Sequence, residues 1–114
     1  MMALYFHNNR GSTLYSAWGM WYPNDCPNRG YVVKGWFVFR AGESGIVSTD
    51  DMRGGGFLTY GIWEDGYEWS GEVPEILPNT PFQHCIGSTV QLHGRSVKFK
   101  HSLRYDGTHH VSFS

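Results

Sequence analysis

A chain of 114 residues, 40% apolar, 17% aromatic and 17% charged, has the size of one domain and the means for one modest core. It is too aromatic and too weakly charged to stay disordered, too poor in Ala, Leu, Glu and Lys for a helical bundle, and has no apolar run near the ~20 residues of a membrane-spanning helix. The net charge of −1 makes no global case for nucleic acid or a membrane surface, but residues 1–42 sum to +3, 43–75 to −7 and 76–114 to +3. Either the strands interleave and the charges mix, or the acidic middle meets a basic partner, a cation or another copy's basic ends.

The start, from Met1 to His7, lacks the basic, apolar and small-residue regions of a signal peptide, so none is expected. The first strand falls at 3–7 and is turned by Asn8-Asn9-Arg10-Gly11. The second covers 13–21, with Leu14, Tyr15, Trp18 and Trp21 as its bulk, and a loop at 22–30 follows. The third, 31–39, shows little polar alternation, which predicts cover on both faces. A short strand sits at 46–49, and Gly54-Gly55-Gly56 marks a flexible loop. Residues 57–63 and 67–69 form a hairpin around Glu64-Asp65-Gly66, with Gly66 free to take positive φ. The three prolines of 73–81 forbid a central strand, and a brief helical turn fits 81–85. The last third reads as a long hairpin with a loop at Tyr105-Asp106-Gly107, placing Phe99 opposite Phe113, His101 opposite Val111 and Leu103 opposite His109. Short strands with turns every 8–12 residues predict an all-β domain over residues 1–114, an antiparallel two-sheet β-sandwich, with a partly open β-barrel as the alternative.

Cys26 and Cys85 are two ordinary thiols if reduced and close a loop of about 60 residues if joined. No C-x₂-C spacing suggests zinc. The compartment stays open: a joined pair would suit an extracytoplasmic or secreted protein.

Asn8-Asn9, the aromatic 15–22 stretch, the Cys26 loop, Lys34-Gly35-Trp36-Phe37, Ala41-Gly42-Glu43, Trp63-Glu64-Asp65-Gly66, Trp69-Ser70-Gly71 and Phe82-Gln83-His84-Cys85 follow one another in an order that resembles the bacterial family of uncharacterised domains known as DUF1036. The resemblance spans about residues 5–90. Phe37 stands where the family has a second Trp and Ala41 where it has a turn Pro, and the stretch from Arg95 to Ser114 has no counterpart. It implies a small extracytoplasmic-type β domain with Cys26 and Cys85 as a structural pair, and it carries no mechanism.

Aromatic rings beside amides and carboxylates are the strongest candidate chemistry. Sugars stack C–H faces on rings and offer hydroxyls to bidentate acceptors. Trp21, Tyr22, Asn24 and Asp25 from one loop, with Trp63, Asp65 and Tyr67 from another, are the residues expected to bind a glycan or other polar surface ligand in a lectin-like site. The competing reading puts these rings in the core, and Trp36 is assigned there outright. His101 and His109 lie near each other on the expected final hairpin, but two histidines without a nearby carboxylate fall short of a metal site, so no metal and no cofactor is expected. Catalysis is not expected either. His84 and Cys85 are strand neighbours that point apart, Glu64 and Glu68 read as turn charges, and phosphate-loop and nucleophile-elbow motifs are missing. The basic hairpin with Lys98, Lys100 and Arg104 has a single-strand-binding flavour, set against an overall charge that disfavours nucleic acid. The functional alternative to a lectin is a self-assembling or protein-interaction domain, a homo-oligomer joined through exposed strand edges.

Overall fold

The computed structural model describes residues 3–21, 26, 30–49, 56–86, 94–102 and 108–114. The strands are β1 (Ala3–Asn8), β2 (Leu14–Trp21), β3 (Tyr31–Phe39), β4 (Ser44–Ser48), β5 (Phe57–Trp63), β6 (Glu68–Trp69), β7 (Val73–Leu77), β8 (Phe82–Cys85), β9 (Arg95–Ser102) and β10 (Thr108–Phe113). They form two sheets. A three-stranded sheet runs β10-β1-β4, and a seven-stranded sheet runs β7-β9-β5-β2-β3-β8 with β6 paired to β5. No described helix is long and apolar enough to cross a membrane.

The fold is all-β with two sheets, but it is not the antiparallel sandwich expected. β1 pairs β10 in parallel, Ala3 against Thr108 through Asn8 against Phe113. The large sheet is an open, strongly curled half-barrel. The cause lies in its central strands, which are apolar on both faces. Along β2 and β5, Leu14, Trp18, Met20, Phe57 and Trp63 point outward and meet Leu4, Phe6 and Phe113 of the small sheet. Ala17, Leu58 and Tyr60 point the other way and need a second cover, which the curl supplies with Leu77, Val97 and Phe99. β3 serves both cores through a register shift opposite Ser16 and Ala17. One extra residue reverses the alternation, so Tyr31, Val33 and Trp36 face inward while Phe37 and Phe39 face outward. Cover on both faces of residues 31–39, read from their lack of alternation, is what the strand has. Trp36 belongs to the inner core as assigned, although it is half-buried.

β7 and β8 are the rims of the half-barrel. Pro74 is tolerated because β7 is an edge strand. Across the gap His84 Nε2 lies 3.8 Å from Glu75 Oε2, and the Trp36 indole donates to the Pro78 carbonyl at 2.9 Å. A disulfide joins Cys26 to Cys85, with Cα atoms 5.5 Å apart, and ties the end of β8 to the chain ahead of β3.

Two local expectations fail. Residues 82–85 are a strand, not a helical turn, because Val32 to Gly35 of β3 need a neighbour. The long final hairpin does not form. β9 has β5 on one side and β7 on the other, while β10 pairs β1. Phe99 and Phe113, read as one stripe, fill different cores. The register of His101 with Val111 and of Leu103 with His109 goes with the hairpin, and its loop at Tyr105-Asp106-Gly107 lies outside the described residues.

Candidate functional site

The 57–69 hairpin folds as its sequence predicts. Gly66 takes φ 93°, a conformation side chains resist, and its N–H reaches the Trp63 carbonyl at 2.8 Å. The Trp63 N–H reaches the Tyr67 carbonyl at 2.8 Å. Asp65 Oδ1 accepts from the Tyr67 N–H at 3.1 Å. That bond, helped by the Arg10 guanidinium 3.4 Å away, holds the Asp65 carboxyl below its ordinary range.

This tip is not a sugar platform. Trp63 is 1% exposed, and its indole N–H donates to Asn8 Oδ1 at 2.8 Å. Tyr67 is 51% exposed, but Arg10 stands over it, its Cζ 4.0 Å from the ring centroid and 5.1 Å from that of Trp63. The polar and aromatic groups of the tip thus already satisfy one another. The other expected loop lies far off. Leu14 pairs with Trp63 at one end of β2, while Trp21 ends the opposite side, seven residues and about 23 Å along the strand. Trp21 is half-buried, and Tyr22, Asn24 and Asp25 lie outside the described residues.

The other rings are packed in the same way. Trp18 is 3% exposed and stacks on Phe37, Trp69 covers Phe113, and Tyr60 meets Trp36 and Phe99 edge-on. The aromatic richness builds two cores, and a lectin-like reading loses the exposed rings it requires. The segmental charges mix within the chain: Arg10 from the first third pairs Asp65 from the middle, and Arg95 from the last third acts on Tyr60 together with Glu68. Tyr60 donates to Glu68 Oε2 at 3.0 Å, and burial together with that carboxylate pushes its phenol well up.

At the mouth of the half-barrel Tyr15, Trp36, Ile62, Asn79 and Arg95 line a cleft of about 180 Å³. That is below the ~300 Å³ at which small-molecule sites begin. A larger groove of about 390 Å³ runs beside β10, between His109–Ser112 on one side and Phe57, Trp69, Lys100 and Ser102 on the other. Among the described residues β10 and β4 each pair only with β1, so both edges of the small sheet are open.

The outer face of that sheet carries a feature the sequence did not suggest. The parallel pairing sets His110 opposite Tyr5 and next to His7. His7 Nε2 and His110 Nδ1 are 2.7 Å apart, and His7 Nδ1 is 2.6 Å from Ser44 Oγ on β4. Tyr5 stacks on His110 at 4.9 Å between centroids. Nothing local links residues 103 positions apart, so only the topology reveals the pair. His109, its neighbour, turns inward against Phe57. No family model, curated protein or solved structure matches the chain.

Proposed function

We propose that this chain is a non-catalytic interaction domain that assembles with its own copies through the open β10 edge of the three-stranded sheet. The observation that carries the reading is the division of roles between the sheets. Trp63, the candidate ring at the hairpin tip, fills the outer core and Tyr67 lies under Arg10, while among the described residues the small sheet ends in an unextended strand beside a groove. An open edge offers a row of backbone donors and acceptors, which is a template for another strand. Two copies related by a two-fold axis would pair β10 against β10 and merge two three-stranded sheets into one. Phe57 and Trp69 supply apolar contact in the groove, and a net charge of −1 leaves little repulsion between copies. The resemblance to DUF1036 domains fits a small β domain of this kind and adds no activity to it.

Sedimentation velocity over a concentration series in the presence of EDTA tests the reading. The wild type is expected to move from monomer to dimer. Thr108→Lys with Ser102→Lys, which sets like charges on the strand edge and beside Lys100 in the groove, is expected to stay monomeric with its thermal midpoint kept. A wild type that remains monomeric throughout overturns it.

A further inference from the structure

The geometry points to a divalent transition-metal site at His7 and His110 that is completed by the same pair from a second copy, joining two chains face to face across their three-stranded sheets. The contact is separate from the β10 edge and does not rest on it.

The argument begins with the two nitrogens. At 2.7 Å, His7 Nε2 and His110 Nδ1 share one proton in an N–H···N bond. Two imidazole nitrogens on a tetrahedral zinc ion, at 2.0–2.1 Å each, are about 3.3 Å apart. Because the rings now lie in line, 5.0 Å between centroids with planes 20° apart, the pair needs to open by about 0.6 Å and both rings to swing until their lone pairs converge on the ion. The metal takes the place of the shared proton. That proton moves to the outer nitrogen of its own ring, Nδ1 of His7 or Nε2 of His110. Both rings then remain neutral, each with one N–H and one lone pair on the metal, so coordination leaves the pair's proton count unchanged.

Ser44 supplies the orienting contact such ligands have. Its Oγ lies 2.6 Å from His7 Nδ1, and with the metal bound it accepts the N–H then carried by Nδ1, favouring the tautomer that turns the Nε2 lone pair toward the ion. Tyr5 stacks on His110 at an interplanar angle of 10° and holds the second ring. The ligands thus stand on two adjacent strands, and their supports on β1 and β4, all parts of one sheet.

The set is half of a site. No group of three or more His, Cys, Asp or Glu capable of holding a metal assembles among the described residues. Two tetrahedral positions stay open, and a structural zinc site fills all four. The pair lies on an exposed sheet face, where His110 also borders the groove beside β10, so a second copy can bring its own His7 and His110 to the ion about a two-fold axis. Ile46, 49% exposed on the same face opposite Tyr5, gives the approaching faces an apolar flank.

Zinc is the probe, since it imposes no redox chemistry. Zinc added to the wild type at half an equivalent per chain, in chelator-free buffer near neutral pH, is expected to double the mass seen by light scattering. A competing colorimetric chelator is expected to read one ion per two chains. His7→Ala and His110→Ala are each expected to abolish both effects with an unchanged near-ultraviolet circular dichroism spectrum, and Ser44→Ala to weaken zinc binding by about 10-fold. His101→Ala, outside the pair, is expected to behave as the wild type. One ion per chain without a rise in mass, or an equal response from wild type and His110→Ala, overturns the proposal. A metal-free dimer that persists in either case belongs to the β10 edge, which separates the two failures.

Discussion

The Asn8 side chain accepts the Trp63 indole N–H at 2.8 Å and ties the first strand of the small sheet to the central hairpin of the large one. Asn8 is wholly buried, and every polar atom of its amide is engaged. Its Nδ2 faces the carbonyls of Ser12, Phe39 and Arg40 at 2.8, 3.0 and 3.0 Å, and its Oδ1 also accepts from the Arg10 N–H at 3.1 Å. One amide thereby fixes the β1–β2 turn, the end of β3 and the ring of Trp63.

Removing it leaves several of these groups buried without a partner. Asn8→Ala is expected to cost about 2–4 kcal/mol, more than an ordinary hydrogen bond, because each buried orphan carries its own desolvation penalty. Asn8→Asp is expected to cost as much, since a carboxylate has no N–H to offer these carbonyls. Urea unfolding checks both, with Asn9→Ala as the near-neutral neighbour.

Gly71 crosses over β9 so closely that a Cβ would stand 2.5 Å from Lys100 Cα and 2.7 Å from the Phe99 carbonyl oxygen. These are backbone atoms and cannot turn aside. Gly71→Ala is expected to destabilise by at least ~2 kcal/mol and to lose the Gly71 N–H bond to the Lys98 carbonyl. Gly11→Ala meets nothing within 4 Å and is expected to be neutral or slightly stabilising. Thermal unfolding of the two variants side by side gives the contrast.

Tyr60 makes stability fall in alkali. Burial, then the hydrogen bond to Glu68 and its charge, raise the phenol above its ordinary 10.0 in the folded chain. Between the unfolded and folded values the folded state holds a proton the unfolded state has lost, so the contribution is complete below pH 10.0 and declines as pH climbs through that window. Tyr60→Phe is expected to be about 1 kcal/mol less stable at neutral pH and to show a shallower loss above pH 10.0. Unfolding free energies measured across alkaline pH read the slope.

What the sequence revealed tracks how local each signal is. The bounds of β3 and the turn at Gly66 follow from runs and turn residues within a few positions. The same logic misassigned residues 95–113, because two apolar alternations joined by an Asp-Gly look alike whether the strands pair with each other or with distant partners. Ring exposure was misjudged at Trp63 for a related reason. Its polar neighbours Glu64 and Asp65 point to solvent, while the ring turns to Asn8, 55 residues away. The cysteines gave two open alternatives, since a separation of 59 residues has no pairing signal of its own. The His7–His110 pair was out of reach until β1 and β10 were known to lie side by side.

That parallel pairing also orders events in time. β1 is the middle strand of its sheet, yet Ala3 finds its partner only at Thr108. During synthesis β1 can meet β4 early, but one flank and the ring of Phe6 wait for Phe113, which closes on it at 4.7 Å between centroids. Contacts so distant along the chain form slowly, and an unpaired apolar strand is prone to wrong partners meanwhile. The nascent chain is thus most vulnerable just before β10 emerges, and a ribosome that stops short of β10 releases a chain whose outer core lacks Phe113 and Val111.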